Sequence, residues 1–148
     1  MSHVYARNHQ HIVFSTKGRR ATIKPPIQET LWAYLRGIAR NYKIDLEAIG
    51  GTEDHVHLLL VLPPRLSLAD AVRALKANSS KWMNENGHWF AWQEGYAAFS
   101  VSASNLEATA EYVRNQPQHH KNRGFEQELM ALLRKHGIEA APDEVFAA

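Results

Sequence analysis

The stretch "IDLEAIGGTEDHVHLLLVL", Ile44 to Leu62, decides the fold. Its first part, Ile44 to Gly50, alternates apolar and polar residues, the period of a strand with one buried face. Gly50-Gly51 reads as a turn signal. "DHVHLLLVL", Asp54 to Leu62, reads as a second strand, so the two should pair as a hairpin. Pro63-Pro64 stops it. Along the second strand His55 and His57 point one way, while Val56, Leu58 and Leu60 point the other.

Outward from the hairpin the pattern is regular. "NHQHIVFS", Asn8 to Ser15, predicts a strand, and "TKGRR" a loop. "PPIQETLWAYLRGIARNYK" predicts a helix: Pro25 and Pro26 suit its first turn, and Ile27, Leu31, Tyr34, Leu35 and Ile38 recur at helical spacing. Ser67 is a plausible N-cap for a second helix, with Asp70 at its N3 position. "AAFSVSAS", Ala97 to Ser104, predicts a short strand. A third helix should run from Leu106 to about Gln116, where Pro117 kinks or ends it. "FEQELMALLRKHG" predicts a last helix ending at Gly137. The order β-α-β-β-α-β is the split βαβ arrangement of a ferredoxin-like, RRM-like α+β fold. Its first and third strands should be central, with helices on one face of an antiparallel sheet, the other face available, and extra C-terminal helices. Residues 1–137 are expected to form one domain and 138–148 a loosely held tail.

The chain has 148 residues and no cysteine. That excludes disulfides and thiolate metal sites and makes a reducing cytoplasm the default expectation. Its start does not read as a signal peptide, and no apolar run approaches a membrane span, so a soluble protein without a membrane role is expected. The net charge is only +2, with nine histidines besides. The basic residues cluster at Lys17, Arg19 and Arg20, at Arg73, Lys76 and Lys81, and from Arg114 to Arg123. Such clusters suit a polyanion, though ordinary solvated surface gives the same pattern.

Two imidazoles in adjacent same-face positions can grip one metal ion or hydrogen-bond one phosphate. Surface histidines would look the same. The pair follows a tight turn on a central strand, and Glu53-Asp54 could orient a ring. A metal here needs at least one further His, Asp, Glu or amide ligand. On the third helix, Tyr112 and Gln116 are four apart and share a face beside the stripe of Leu106, Ala110 and Val113. Taken alone, they could be a boundary tyrosine and a solvated glutamine.

Four stretches in order, "QHIVFSTKGRR", "EDHVHLLLVLPP", "WQEGYAAFSVS" and "YVRNQPQHHK", resemble the single-domain, one-tyrosine transposases of the HUH endonuclease superfamily. These include insertion-sequence transposases and those associated with repetitive extragenic palindromes. The resemblance spans about Gln10 to Arg123. It implies that His55 and His57 are the metal-binding histidines, Tyr112 the nucleophile and Gln116 the third metal-facing residue. It also implies Mg²⁺ or Mn²⁺ as cofactor and single-stranded, hairpin-containing DNA as substrate, cut and rejoined through a 5′-phosphotyrosine. A homodimer is a further implication, in which one subunit's tyrosine helix can complete the other's site.

Pro117 leaves the end of that helix open. His119 and His120 are assigned to DNA contact ahead of metal ligation, together with Lys121, Arg123, Arg114, the Lys17–Arg20 loop and the basic residues of the second helix. Trp89, Phe90 and Trp92 could stack bases, with core packing expected for at least two of them. Two rivals remain. A binding-only nucleic-acid module on this sheet would normally carry aromatic base-stackers where this strand has "DHVHLLL". A histidine phosphohydrolase of the HxHxH type needs a histidine where Leu59 stands.

Overall fold

The computed structural model describes residues 3–121 and 123–146. Its main elements are β1 (Asn8–Ser15), α1 (Pro25–Asn41), β2 (Asp45–Gly51), β3 (His55–Leu62), α2 (Leu68–Glu85) and β4 (Ala97–Ser100). They are followed by α3 (Leu106–Arg114), α4 (Gln116–His119), α5 (Phe125–Lys135) and α6 (Pro142–Val145). The four strands form one antiparallel sheet in the order β2-β3-β1-β4, so the first and third are central, as the pattern predicts.

One face of the sheet carries Val56, Leu58 and Leu60 of β3 with Ile12 and Phe14 of β1, packed under α1 and α2. Each fully buried leucine there is worth about 1.5–3 kcal/mol. The two prolines of α1 occupy its first turn, where a missing N–H costs nothing. In α2 the Ser67 hydroxyl accepts from the Asp70 amide at 3.1 Å and caps the helix. Tyr34, placed by its spacing on the buried stripe of α1, instead lies at the stripe's edge and stacks on Trp82 with ring centroids 4.8 Å apart. There its hydroxyl can stay wet.

The second face, expected to stay open, is covered. Leu106, Ala110 and Val113 of α3 pack on Ala48 and Leu59, and Phe125, Leu129 and Leu133 of α5 pack on Val13 and Phe99. The reason lies in the strands, since both faces of β1 and β3 carry large apolar side chains. Residues 140, 145 and 146 also join the cluster around Phe125, and the Arg19 guanidinium lies over the Phe146 ring.

Three boundaries move. Gly50 and Gly51 are strand residues, and the turn falls at residues 52–54. A Cβ on Gly50 would stand 2.0 Å from the Val113 carbonyl oxygen, so this glycine lets α3 press against the sheet. The last strand stops at Ser100. Beyond it Ser102, Ser104 and Asn105 hydrogen-bond one another and hold a 3₁₀ turn over 103–105. The tyrosine helix ends at Arg114 rather than at Gln116, and Asn115 leads into α4. Pro117 has no amide hydrogen for the Val113 carbonyl, so it sits in the first turn of a new helix instead.

Candidate active site

Strand alternation and the two covering helices build the site. His55 and His57 project from β3 toward α3 and α5, and both are fully buried. Gln116, just past α3, is buried beside them, with its Oε1 3.1 Å from His55 Nε2. Its amide nitrogen donates back to the Tyr112 carbonyl at 3.2 Å, so the break at Asn115 keeps the two residues on one side. The structure thus brings together all four residues of the proposed core.

Glu128 of α5 completes the group, and sequence reasoning missed it. Its Oε1 lies 2.9 Å from His57 Nε2 and 3.5 Å from His55 Nε2. The Tyr112 hydroxyl donates to its other oxygen. One signal was readable: Glu128 stands three residues after Phe125 and four before Leu132, an acid inside an apolar helical stripe. His120 also turns inward, its Nε2 3.1 Å from both Gln116 Oε1 and Glu128 Oε1. His119 lies against Tyr112, with ring centroids 4.7 Å apart.

Hydrogen bonds fix the rings. His55 Nδ1 donates to Asp54 Oδ1 at 2.7 Å, so the acidic residue before the motif does orient a ring. Burial pulls the His55 pKa down, but bonds to Asp54, Glu128 and Gln116 outweigh it and raise it to about 9. Burial would push Glu128 up, yet its bonds from His55 and His57 hold it far below the usual carboxylate range. An ionised Glu128 only accepts, so His57 Nε2 donates to it. His57 Nδ1 must then accept from His11 Nε2, 2.8 Å away on β1. Burial lowers His57 to about 4 and His11 to about 3, so both are neutral. Tyr112 is raised above its ordinary value by burial and by its bond to Glu128.

The donor set fits a divalent ion. Ligand atoms of His55, His57 and Glu128 all lie within 4.8 Å of one another. Neighbouring ligands on an octahedral ion with bonds of about 2.1 Å stand about 3.0 Å apart. The separations of 2.9, 3.1 and 3.5 Å between these nitrogens and oxygens have that spacing. Two imidazoles with a carboxylate and an amide oxygen make a mixed nitrogen and oxygen donor set for a divalent ion.

The family described as "Transposase IS200 like" matches residues 4–116. The chain belongs to this family. It is thus an IS200-like transposase, of the one-tyrosine type within the HUH superfamily. The ISDra2 transposase TnpA of Deinococcus radiodurans is 26% identical over 114 residues, which cover 72% of this chain and 81% of that one. A crystal structure of a transposase candidate from Deinococcus radiodurans R1 superposes with a TM-score of 0.63 at 29% identity, covering 78% of this chain and 95% of that one. A REP-associated tyrosine transposase bound to a REP hairpin shares the fold, with a TM-score of 0.62 at 14% identity over 81% of this chain and 73% of that one. Use of a divalent metal goes with the family, and the buried His55–His57–Glu128 cluster fits it.

The other basic residues of the IS200-like transposase chain are scattered. Arg73, Lys76 and Lys81 lie on α2, across the sheet from the histidines. Arg73 pairs with Asp70, Lys81 stands near Glu85, and Lys76 donates to the carbonyls of Gln93 and Gly95. Arg114 reaches the Glu47 carbonyl, Arg19 pairs with Glu126, and Arg20 lies over Trp89. Lys17 and Lys121 are exposed. Of the expected DNA contacts, His119, His120 and Arg123 line a cavity with Tyr112. Of the three aromatics, Phe90 and Trp92 are core and Trp89 is exposed. No described helix is long and apolar enough to cross a membrane.

Proposed function

We propose that this transposase cleaves and rejoins single-stranded DNA by tyrosine transesterification, with His55, His57, Glu128 and Gln116 holding Mg²⁺ or Mn²⁺. The observation that carries the reading is the Tyr112 hydroxyl bonded to Glu128, whose other oxygen meets the paired histidines. The ion, when bound, would polarise the scissile phosphate. Glu128 Oε2 orients the phenol, whose proton leaves to solvent as the phenolic oxygen attacks phosphorus. The P–O3′ bond breaks, and the departing 3′-oxygen takes up a proton from solvent. The products are a 5′-phosphotyrosine on Tyr112 and a free 3′-hydroxyl. A second strand's 3′-hydroxyl reverses the step, because the ester energy is retained.

Hairpin-containing DNA is the proposed substrate, supported by the hairpin in the REP-associated structure. Within one chain Gln116 already reaches His55, so a site assembled in cis is favoured over exchange of the tyrosine helix in a homodimer. A cytoplasmic location accords with this substrate. A binding-only domesticated relative would gain nothing from a buried metal-type cluster touching a tyrosine. Incubation with hairpin-bearing single strands and Mn²⁺, resolved on a denaturing gel, tests the reading. Cleavage should disappear with EDTA and in His57→Ala. DNA binding without cleavage, over a range of hairpins and with either metal, would overturn it in favour of the binding module.

A further inference from the structure

Two cavities of about 420 Å³ each open on either side of Tyr112, and they share Tyr112, Arg123 and Glu128. One is lined by Gln118, His119 and His120 from the α4 turn. The other runs between β4, α3 and α5, where Ser100, Asn105 and Thr109 face Lys135 and His136. Each volume is in the range of small-ligand sites. The chain has nearly balanced charge, 17 basic against 15 acidic residues, yet among the described residues the only acid lining either cavity is the proposed ligand Glu128. Cations and neutral hydrogen-bonding groups, set beside the apolar Val101, Ala108, Ala131 and Leu132, suit a phosphate with its sugar and base.

We propose that the cavities are two nucleotide subsites flanking the scissile phosphate, and that Arg123 spans both across Tyr112. The new site is the one at Lys135 and His136. It holds the nucleotide on one side of the cut while the His119–His120 cavity holds its neighbour. A transesterase needs both sides, because a cleaved strand that drifts away cannot be rejoined. Lys135 sits in the last turn of α5, pointing its charge at a backbone phosphate. The Ser100 and Thr109 hydroxyls and the Asn105 amide offer both donors and acceptors to a sugar or base edge. His136 is held there by its stack on Phe99, with centroids 4.3 Å apart, and by its Nδ1 donating to the Leu132 carbonyl at 2.9 Å. This inference rests on the single-stranded DNA reading above and adds to it where the strand runs.

Fluorescence anisotropy with a fluorescein-labelled oligo-dT strand and Mg²⁺, over a salt series, tests it. Lys135→Gln and Arg123→Gln should each weaken binding several-fold and flatten the salt slope by about 0.7, the value of one single-strand phosphate contact. Arg134→Gln removes the same charge from the next position on α5, which lines neither cavity, and should leave affinity and slope near wild type. Amide signals of residues 100–109 should shift in NMR spectra as the strand is added. Tight wild-type binding with Lys135→Gln and Arg134→Gln behaving alike, and no shifts at residues 100–109, overturns the second subsite alone. Failure of the wild type to bind the strand overturns the DNA reading with it.

Discussion

Metal binding should expel one proton from His55. In the metal-free protein this imidazole donates through Nδ1 to Asp54 and through Nε2 toward Gln116, and its pKa is raised to about 9. A metal must take the Nε2 position, so the proton there has to leave. At pH 7 only about 1% of His55 is deprotonated, which makes apparent affinity about 100-fold weaker than that of the deprotonated site, or about 2.7 kcal/mol. His57, lowered to about 4, is already neutral, and Glu128 is already ionised. The count is therefore one proton per ion, not zero and not two. The sign follows: a raised pKa keeps His55 charged until pH passes about 9, so affinity should rise about tenfold per unit from pH 7 and level off above that point. Calorimetric titration with Mn²⁺ in two buffers of different ionisation enthalpy counts the protons directly. A binding enthalpy that does not depend on the buffer, or an affinity flat between pH 7 and 8, would refute the assignment of His55 as a charged, displaceable ligand.

Other outcomes follow from the same geometry. Gly50→Ala places a methyl into the Val113 carbonyl and should cost about 1–3 kcal/mol, lowering Tm by roughly 2–4 °C per kcal/mol in thermal unfolding. His11 can accept as well as donate, so His57 can move its hydrogen from Nε2 to Nδ1 when a metal arrives. His11→Leu removes that partner and should weaken Mn²⁺ binding about 10- to 100-fold by calorimetry, with His11→Gln, which keeps an acceptor, less affected. If the site assembles in cis as proposed, a mixture of Tyr112→Phe and His57→Ala proteins should stay inactive in a cleavage assay. Recovery of cleavage would show the tyrosine helix working in trans.

Much of this was legible in the sequence where the signal is local. Alternation in "DHVHLLLVL" put Val56, Leu58 and Leu60 on the face opposite His55 and His57, and both positions hold. The spacing of Tyr112 and Gln116 survives the helix break because Gln116 bonds back to the Tyr112 carbonyl. Gly50-Gly51 misled, since a glycine pair marks a turn as readily as a close approach of two backbones. The partner in that approach, Val113, lies far along the chain. Glu128 was invisible for the same reason. Its meaning comes from His57, 71 residues away, and pattern reading along one helix shows only an acid in an apolar stripe. The covered second face follows from Val13, Leu59 and Phe99, which demand burial, but nothing local says which helices supply it.

The central claim is that Tyr112 becomes covalently joined to DNA. Intact-mass spectrometry after incubation with a cleavable hairpin-bearing single strand and Mn²⁺ measures this most directly. The account predicts a protein–DNA adduct whose phosphorylated peptide contains Tyr112, absent in Tyr112→Phe and with EDTA. Cleaved DNA without any adduct, or an adduct that persists in Tyr112→Phe, would contradict it.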